Sequence, residues 1–357
     1  MVGVAVIGLG VYGEIHARTY ASTPGVELVG VCDVRGARAN ALASELGCKA
    51  FVDFTSLLAE PGVDAVSVAL PDHLHAEVAI AVLNAGKHAL VEKPLAIEPA
   101  QCVAMIRAAD ANGVRLMTDF AQRWSPPIQH AKRAIAEGRL GDIQLTYYRA
   151  HDTIFVPTKM LSWGANSTVA WFLASHCLDN LLWIFNSRSA YAGGPGDKIS
   201  RLRTLKRSRV LADLGYPTAD FYLTTLEWAS GMVTTIENCW ILPESGPTVY
   251  DMKMEFIGST GNLLVDGSHN RTVELQTNKA EYLDTMAYLD IFGVPWGFAT
   301  ESIKHFVAAI DSGSIPRVDG VDGLAVTRLI QAMETSAATD MTVEIDWNPY
   351  DTNLALD

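Results

Sequence analysis

Residues 2–13 read VGVAVIGLGVYG, and the reading of this stretch decides the fold. Val2–Ile7 is a continuous apolar, largely β-branched run. Gly8, Gly10 and Gly13 then form G-x-G-x-x-G, and Val11–Ala21 follows with helical spacing. A strand apolar on both faces, a glycine turn and a helix make the first unit of a parallel sheet that binds a dinucleotide. The glycines permit a tight turn, close approach of backbone to pyrophosphate, and tight helix–strand packing. The anion then sits on the free N–H groups of the helix N-terminus. Asp33 ends the next strand, Val26–Asp33, 20 residues after Gly13. Its carboxylate would accept from the adenosine ribose 2′-OH and repel a 2′-phosphate, which favours NAD. NADP is the alternative, because Arg35 and Arg38 follow and would reach a 2′-phosphate if Asp33 turned away. The expected cofactor contacts here are Gly8, Gly10, Val11, Tyr12, Gly13, Asp33 and Arg35.

Outward from this stretch the alternation continues. Helix Ala37–Leu46, strand Ala65–Leu70, helix Ala76–Ala85, strand His88–Glu92, helix Pro99–Asn112 and strand Arg115–Asp119 complete a doubly wound α/β domain over residues 1–121. The rhythm then changes. A helix (Pro127–Glu137), a strand (Ile143–His151), a Trp-rich loop and a helix (Val169–Phe185) precede alternating strands at Phe221–Trp228, Met232–Trp240, Lys253–Gly258, Gly261–Asp266 and Thr272–Gln276. Helices Glu301–Asp311 and Val321–Thr339 close the pattern. Runs of strands joined by Gly and Asp turns predict an α+β domain on a largely antiparallel, open-faced sheet over 122–347. Residues 348–357 read as a polar tail.

Composition narrows the function. The 357 residues carry 27 Lys plus Arg against 40 Asp plus Glu, a formal net charge of −13. No cationic excess is available to replace phosphate counterions, which argues against nucleic acid as a partner class, and an anionic membrane surface is disfavoured too. The N-terminus lacks a basic n-region and cleavage pattern, and no apolar run is long enough to span a bilayer. The five cysteines, Cys32, Cys48, Cys102, Cys177 and Cys239, are never in C-x-x-C spacing and read as reduced thiols of a cytoplasmic protein. No metal site is assigned. Asp72 makes an N-cap that puts His73, His75 and Glu77 in one helical turn, but such a turn is more often structural.

Residues 70–95 read LPDHLHAEVAIAVLNAGKHALVEKPL. Lys93 follows a buried strand at the carboxyl edge, where ligands of open α/β sheets bind. A lysine beside the positive ring of an oxidised nicotinamide loses its proton more readily, and can then take a hydroxyl proton or donate to a forming carbonyl. The plain alternative is a surface lysine at a strand end. Together with the glycine motif, Pro71-Asp72-x-x-His75, Ala85-Gly86-Lys87-His88, Glu92-Lys93-Pro94, Phe256-Ile257-Gly258-x-x-Gly261 and Asp322-Gly323-Leu324, the chain resembles the glucose–fructose oxidoreductase/inositol dehydrogenase/MocA (Gfo/Idh/MocA) family of NAD(P)-dependent oxidoreductases over nearly its whole length. The resemblance implies catalysis by Lys93, a cis bond before Pro94, a cofactor-ribose contact from Glu92, nicotinamide-side contacts from Pro71 and His75, and a place for Arg123 near cofactor and substrate.

The resemblance also marks His176, in Trp171-Phe172-Leu173-Ala174-Ser175-His176, as the acid/base partner of Lys93. Family members typically carry an Asp four residues before this His, one helical turn away, where it orients the imidazole. Phe172 stands there instead. Either Asp179 substitutes, or Lys93 does most of the proton work while His176 positions a hydroxyl. The implied substrate walls are Arg123, His151, Asp152, Trp163 and Trp240, with Lys93, His151, Trp163, His176 and Asp179 the expected substrate contacts. Aromatic faces with a few hydrogen-bonding groups suit a polyol or sugar, although each Trp is equally a core residue. Arg201–Arg209 carries five cations in nine residues. Its alternation fits a strand with one solvated face, with binding of an anionic group as the alternative.

The leading expectation is an NAD-dependent sugar or cyclitol dehydrogenase with direct hydride transfer, acting as a homodimer or homotetramer through the open sheet. A redox-neutral sugar-modifying enzyme, cleaving a glycoside by oxidation–elimination or epimerising it, is the second reading. A non-enzymatic NAD-responsive binding protein is the third.

Overall fold

The computed structural model describes residues 1–187, 196–268, 273–277, 280–282 and 285–347. They divide into two compact units: Met1–Trp124 with Met286–Thr327, and Ser125–Thr285 with Arg328–Asp357. The first boundary falls close to residue 121, but a single cut does not separate the units. Met286–Thr327 returns to the first, a fact that local apolar spacing cannot carry, since a helix reads alike whichever sheet it covers. The expected tail 348–357 lies outside the described residues, as does Thr272, the first residue of the predicted strand Thr272–Gln276.

In the first unit, β1 (Val2–Ile7), β2 (Val26–Cys32), β3 (Lys49–Phe51), β4 (Ala65–Val68), β5 (His88–Glu92) and β6 (Leu116–Asp119) form one sheet in the order β3-β2-β1-β4-β5-β6. Every pairing is parallel. Helices α1 (Val11–Ser22), α2 (Gly36–Leu46), α3 (Phe54–Leu58), α4 (His75–Asn84) and α5 (Pro99–Asn112) connect the strands. Val4, Ala5, Val6, Val66, Val68 and Val91 are fully buried, as strands covered on both faces require. β3 and α3 were not predicted; an edge strand of three residues is too short to show a period. Strand order reverses between β1 and β4, and the carboxyl ends of β1, β2, β4, β5 and β6 are where the glycine turn, Asp33, Pro71, Glu92–Lys93 and Asp119 fall.

The second unit holds α6 (Pro126–Ala136), β7 (Ile143–Thr153), α7 (Ser175–Ile184), β8 (Ile199–Arg207), β9 (Phe221–Trp228), β10 (Val233–Leu242), β11 (Tyr250–Gly258) and β12 (Asn262–Asp266). Its sheet runs β12-β11-β7-β10-β9-β8, with Val343–Glu344 beside β8. Only β7 and β10 pair in parallel. Along β7, Thr146, Tyr148, Ala150 and Asp152 are buried on one face, where the Tyr148 hydroxyl accepts a 2.7 Å bond from Asn180 of α7. Tyr147, Arg149 and His151 point to the other. The predicted helix Val169–Phe185 is two pieces, a π-helical turn at Ala170–Ala174 and then α7.

The basic cluster is strand β8 and its end. Leu202 and Thr204 are buried while Arg201, Arg203 and Arg207 are exposed. Arg201 pairs with Glu227, Arg203 with Asp340 and Lys206 with Glu334. The alternation thus serves one buried and one solvated face.

Candidate active site

The glycine turn shows three different demands in three glycines. Gly8 has φ +88°, and a Cβ there would meet the Ala69 carbonyl oxygen at 2.3 Å. A Cβ on Gly13 would lie 1.8 Å from the Gly8 oxygen, so α1 packs on the turn itself. Gly10 has nothing within 4 Å of its Cβ position. Its bareness serves no packing; it leaves room for a ligand over the N-terminus of α1. As the N-cap, Gly10 supplies no side-chain acceptor to the helix, and Val11 and Tyr12 beside it are exposed although apolar. This cradle fits the pyrophosphate of a dinucleotide.

Asp33 completes that end. Its carboxylate accepts from the Leu9 N–H at 3.1 Å and from the Arg35 N–H at 2.9 Å, with Arg35 Nε at 3.3 Å and Arg38 at 4.0 Å. Burial disfavours its charge, but the bonds from Arg35 and Leu9 outweigh that and hold the carboxyl below its ordinary range. An ionised Asp33 suits a ribose diol. Arg35 is engaged by Asp33, which takes it away from a 2′-phosphate.

At the ends of β4, β5 and β6 the expected contacts receive different partners. The Lys93–Pro94 bond is cis. Lys93 is half-buried directly after β5. His75, expected at the nicotinamide, is buried, with Nδ1 2.7 Å from the Pro94 carbonyl and Nε2 2.8 Å from the Leu70 carbonyl. Its ring braces the Pro71 turn against the segment after Lys93, so it supports the site from behind. Glu92, expected at the ribose, accepts from the Lys93 N–H at 3.2 Å through one oxygen and meets His16 Nε2 at 3.2 Å through the other. Arg123 is buried, 3.2 Å from Asp322 and 3.3 Å from the Arg317 carbonyl, which anchors the returning Met286–Thr327 segment.

Sequence reasoning missed His16 and Asp119. His16 Nε2 also lies 3.4 Å from Asp119, its Nδ1 is 2.9 Å from Ser67 Oγ, and Asp119 accepts from Ser302. Burial would lower the His16 pKa, but bonds to Asp119 and Glu92 outweigh it and push it up to about 9. Burial and the neighbouring Glu92 charge push the Asp119 carboxyl up. A signal was available: His16 shares the buried face of α1 with Tyr20, a polar residue where a hydrophobe belongs.

In the second unit, His176 is half-buried and Asp179 fully buried, three residues apart on α7. Phe172 lies in the π-helical turn, its ring 6.3 Å from Trp163 and 5.8 Å from Trp240. Trp240 is fully buried and donates from Nε1 to Asp152 at 3.2 Å. The position of the missing carboxylate is therefore filled by an aromatic stack with a buried carboxylate behind it. His151 does not join this group. It stands on the other face of β7, 3.8 Å from Glu237, where burial and Arg149 push its pKa down to about 4. Strand alternation separates it from Asp152, its chain neighbour. Burial pushes the thiols of Cys177 up to about 12 and Cys32 up to about 11, and all five cysteines are free.

Comparison with known proteins agrees with these features. Residues 2–120 match the Gfo/Idh/MocA model described as "Oxidoreductase family, NAD-binding Rossmann fold", and residues 132–345 match its C-terminal alpha/beta domain. The chain belongs to this family of NAD-binding oxidoreductases. It is 32% identical to inositol 2-dehydrogenase 1 of Saccharopolyspora erythraea over 269 residues, 73% of each chain. It is 26% identical to D-glucoside 3-dehydrogenase of Escherichia coli, over 96% of this chain and 97% of the relative. Among solved structures, GenD2 from gentamicin A biosynthesis in complex with NAD superposes with a TM-score of 0.81 at 22% identity, covering 97% and 96% of the two chains.

Proposed function

We propose that the protein is an NAD-dependent dehydrogenase or reductase acting on a hydroxyl or keto carbon of a sugar, cyclitol or sugar derivative. The observation that carries this reading is Lys93, half-buried at the carboxyl edge of the sheet directly after β5, in a chain of the NAD-binding family. Gly8, Gly10 and Gly13 with α1 hold the pyrophosphate, and Asp33 takes the ribose diol. Bound NAD supplies the hydride acceptor. Lys93 takes the substrate hydroxyl proton, and His176 is the second acid/base group of the reaction. Half-buried Trp163 and Phe172 give the substrate apolar faces to stack on, which suits the C–H face of a ring polyol. The relatives named for inositol and for a glucoside support that class.

The five free thiols support a reducing, cytoplasmic setting. No helix among the described residues is long and apolar enough to cross a membrane. The open face of the second sheet supports a homodimer or homotetramer. It is more charged than the sequence implied: Arg149, Glu237, Lys253 and Glu255 line a depression of about 430 Å³ with Tyr147 and Leu264. Light scattering tests this, and a monomer at micromolar concentration contradicts it.

The functional test is a screen of cyclitols, sugars, glycosides and their keto forms with NAD and with NADP, reading reduced nicotinamide. Steady NADH formation with a cyclitol or sugar supports the proposal. Co-purified NAD with substrate turnover but no net NADH would replace it with a redox-neutral reaction.

A further inference from the structure

His16 lies on the helix whose N-terminus caps the glycine turn, yet its ring points away from that turn into the sheet. Nδ1 is 2.9 Å from Ser67 Oγ of β4, which in turn lies 2.7 Å from the Tyr20 hydroxyl. Nε2 faces two carboxylates, Glu92 of β5 at 3.2 Å and Asp119 of β6 at 3.4 Å. Glu92 and Asp119 are register partners across the β5–β6 ladder. Asp119 is held from its other side by Ser302 of the helix Phe298–Asp311. All three charged groups are buried, His16 to 1% exposure. Two carboxylates side by side in a dry interior repel, and removing the cation between them would leave buried charge uncompensated. A ring protonated at both nitrogens directs one N–H toward Ser67 and one toward the carboxylates, and so compensates them.

We propose that His16 is a positioning residue of the reaction: as an imidazolium it ties the phosphate-binding helix to Glu92, and through Glu92 it fixes the backbone of Lys93. The connection is continuous. Glu92 uses one oxygen on His16 and the other on the Lys93 N–H. A shift of α1, whose first turn receives the pyrophosphate, is thereby felt at the strand end that carries Lys93. The charged groups facing His16 are Glu92 and Asp119, and its uncharged neighbours include Tyr20 and Ser67. The raised pKa of His16 agrees with this arrangement.

The kinetic part of the test rests on the dehydrogenase reading above; the other parts do not. In apo protein labelled with [15N]histidine, His16 should show two protonated ring nitrogens at pH 8. A neutral ring there overturns the proposal. In His16→Gln, NADH affinity should fall about tenfold or more, since small displacements at a site cost on the order of 10- to 100-fold. Turnover should fall similarly, and the acid limb of its pH profile should move upward, because Glu92 and Asp119 must then share a proton. The double variant His16→Gln/Asp119→Asn removes the like-charge pair and should recover most of the NADH affinity. A His16→Gln protein that only melts earlier, with NADH affinity and pH profile unchanged, reduces His16 to a structural residue and overturns the proposal. Should no substrate support turnover in the parent protein, the dehydrogenase reading fails while the NMR and affinity results still decide the role of His16.

Discussion

At the strand ends of the first unit, Asp33, Glu92, Asp119 and Arg123 each hold an ionic or backbone partner, whereas the wall beside His176 in the second unit is built from Phe172, Trp163 and Trp240. The first region binds a ligand with fixed charges, so its groups are locked in place by fixed charges and by glycines that admit no side chain. In the second, the Phe172 and Trp163 rings can be exchanged without stranding a buried charge, whereas Trp240 also donates to the buried Asp152 carboxylate. Under the proposed function, the difference assigns cofactor recognition to the ionic half and substrate recognition to the aromatic half.

That comparison can be broken at its most rigid point. Gly13→Ala places a methyl 1.8 Å from the Gly8 oxygen. It should cost about 3 kcal/mol or more of stability in urea unfolding, at the high end of overpacking, and abolish NADH binding. Gly10→Ala, where the same atom meets nothing within 4 Å, should leave stability within about 0.5 kcal/mol yet still weaken NADH severely. Equal losses of stability in the two would show that Gly10 is not bare for a ligand.

The ionic lock should be visible in pH dependence. His16 has a folded pKa raised from 6.5 to about 9, so its contribution is full below pH 6.5 and is lost as pH rises through about 9. The parent protein should lose on the order of 2–3 kcal/mol across that window, and His16→Gln should lose much less. His151 has the opposite sign. Its pKa is lowered to about 4, so its contribution is present above pH 6.5 and is lost as pH falls toward 4. His151→Gln should flatten the acid branch and leave turnover unchanged, as befits a residue on the far face of β7.

On the aromatic side, Phe172→Ala should raise the substrate KM about five- to twentyfold, with kcat within a few fold, since it removes a stacking surface worth on the order of 1–2 kcal/mol. A fall in kcat with KM unchanged would instead give Phe172 a part in orienting His176. The smallest effect is expected at β8: Arg203→Ala breaks an exposed pair with Asp340 and should change stability by less than about 1 kcal/mol and activity not at all.

The same contrast explains how much could be read from sequence. The run from Val2 to Gly13 followed by Asp33 encodes a strand, a turn and a ribose reader locally, and the parallel sheet follows from repetition of that pattern. Lys93 and His176 were singled out through motif resemblance, and the Lys93→Met test below decides the role of the first. The partners of Glu92 were not legible, because the Glu92–Asp119 register joins residues 27 positions apart and His16 enters from a third element. The partners of His75 were hidden for a related reason: the Leu70 and Pro94 carbonyls become neighbours only after β4 and β5 pair. His151 and Asp152 were read as one wall, but one residue of strand alternation puts them on opposite faces of β7. The return of Met286–Thr327 to the first unit is likewise nonlocal, resting on contacts such as Arg123 with Asp322.

The most direct measurement is turnover and NADH affinity of Lys93→Met, made with the substrate that the nicotinamide screen identifies. Proton transfer by a positioned side chain is worth roughly 10²- to 10⁴-fold, so turnover should drop by at least that much while NADH affinity stays within a few fold. Undiminished turnover in Lys93→Met would contradict the assignment of Lys93 as the proton acceptor, and with it the proposed chemistry.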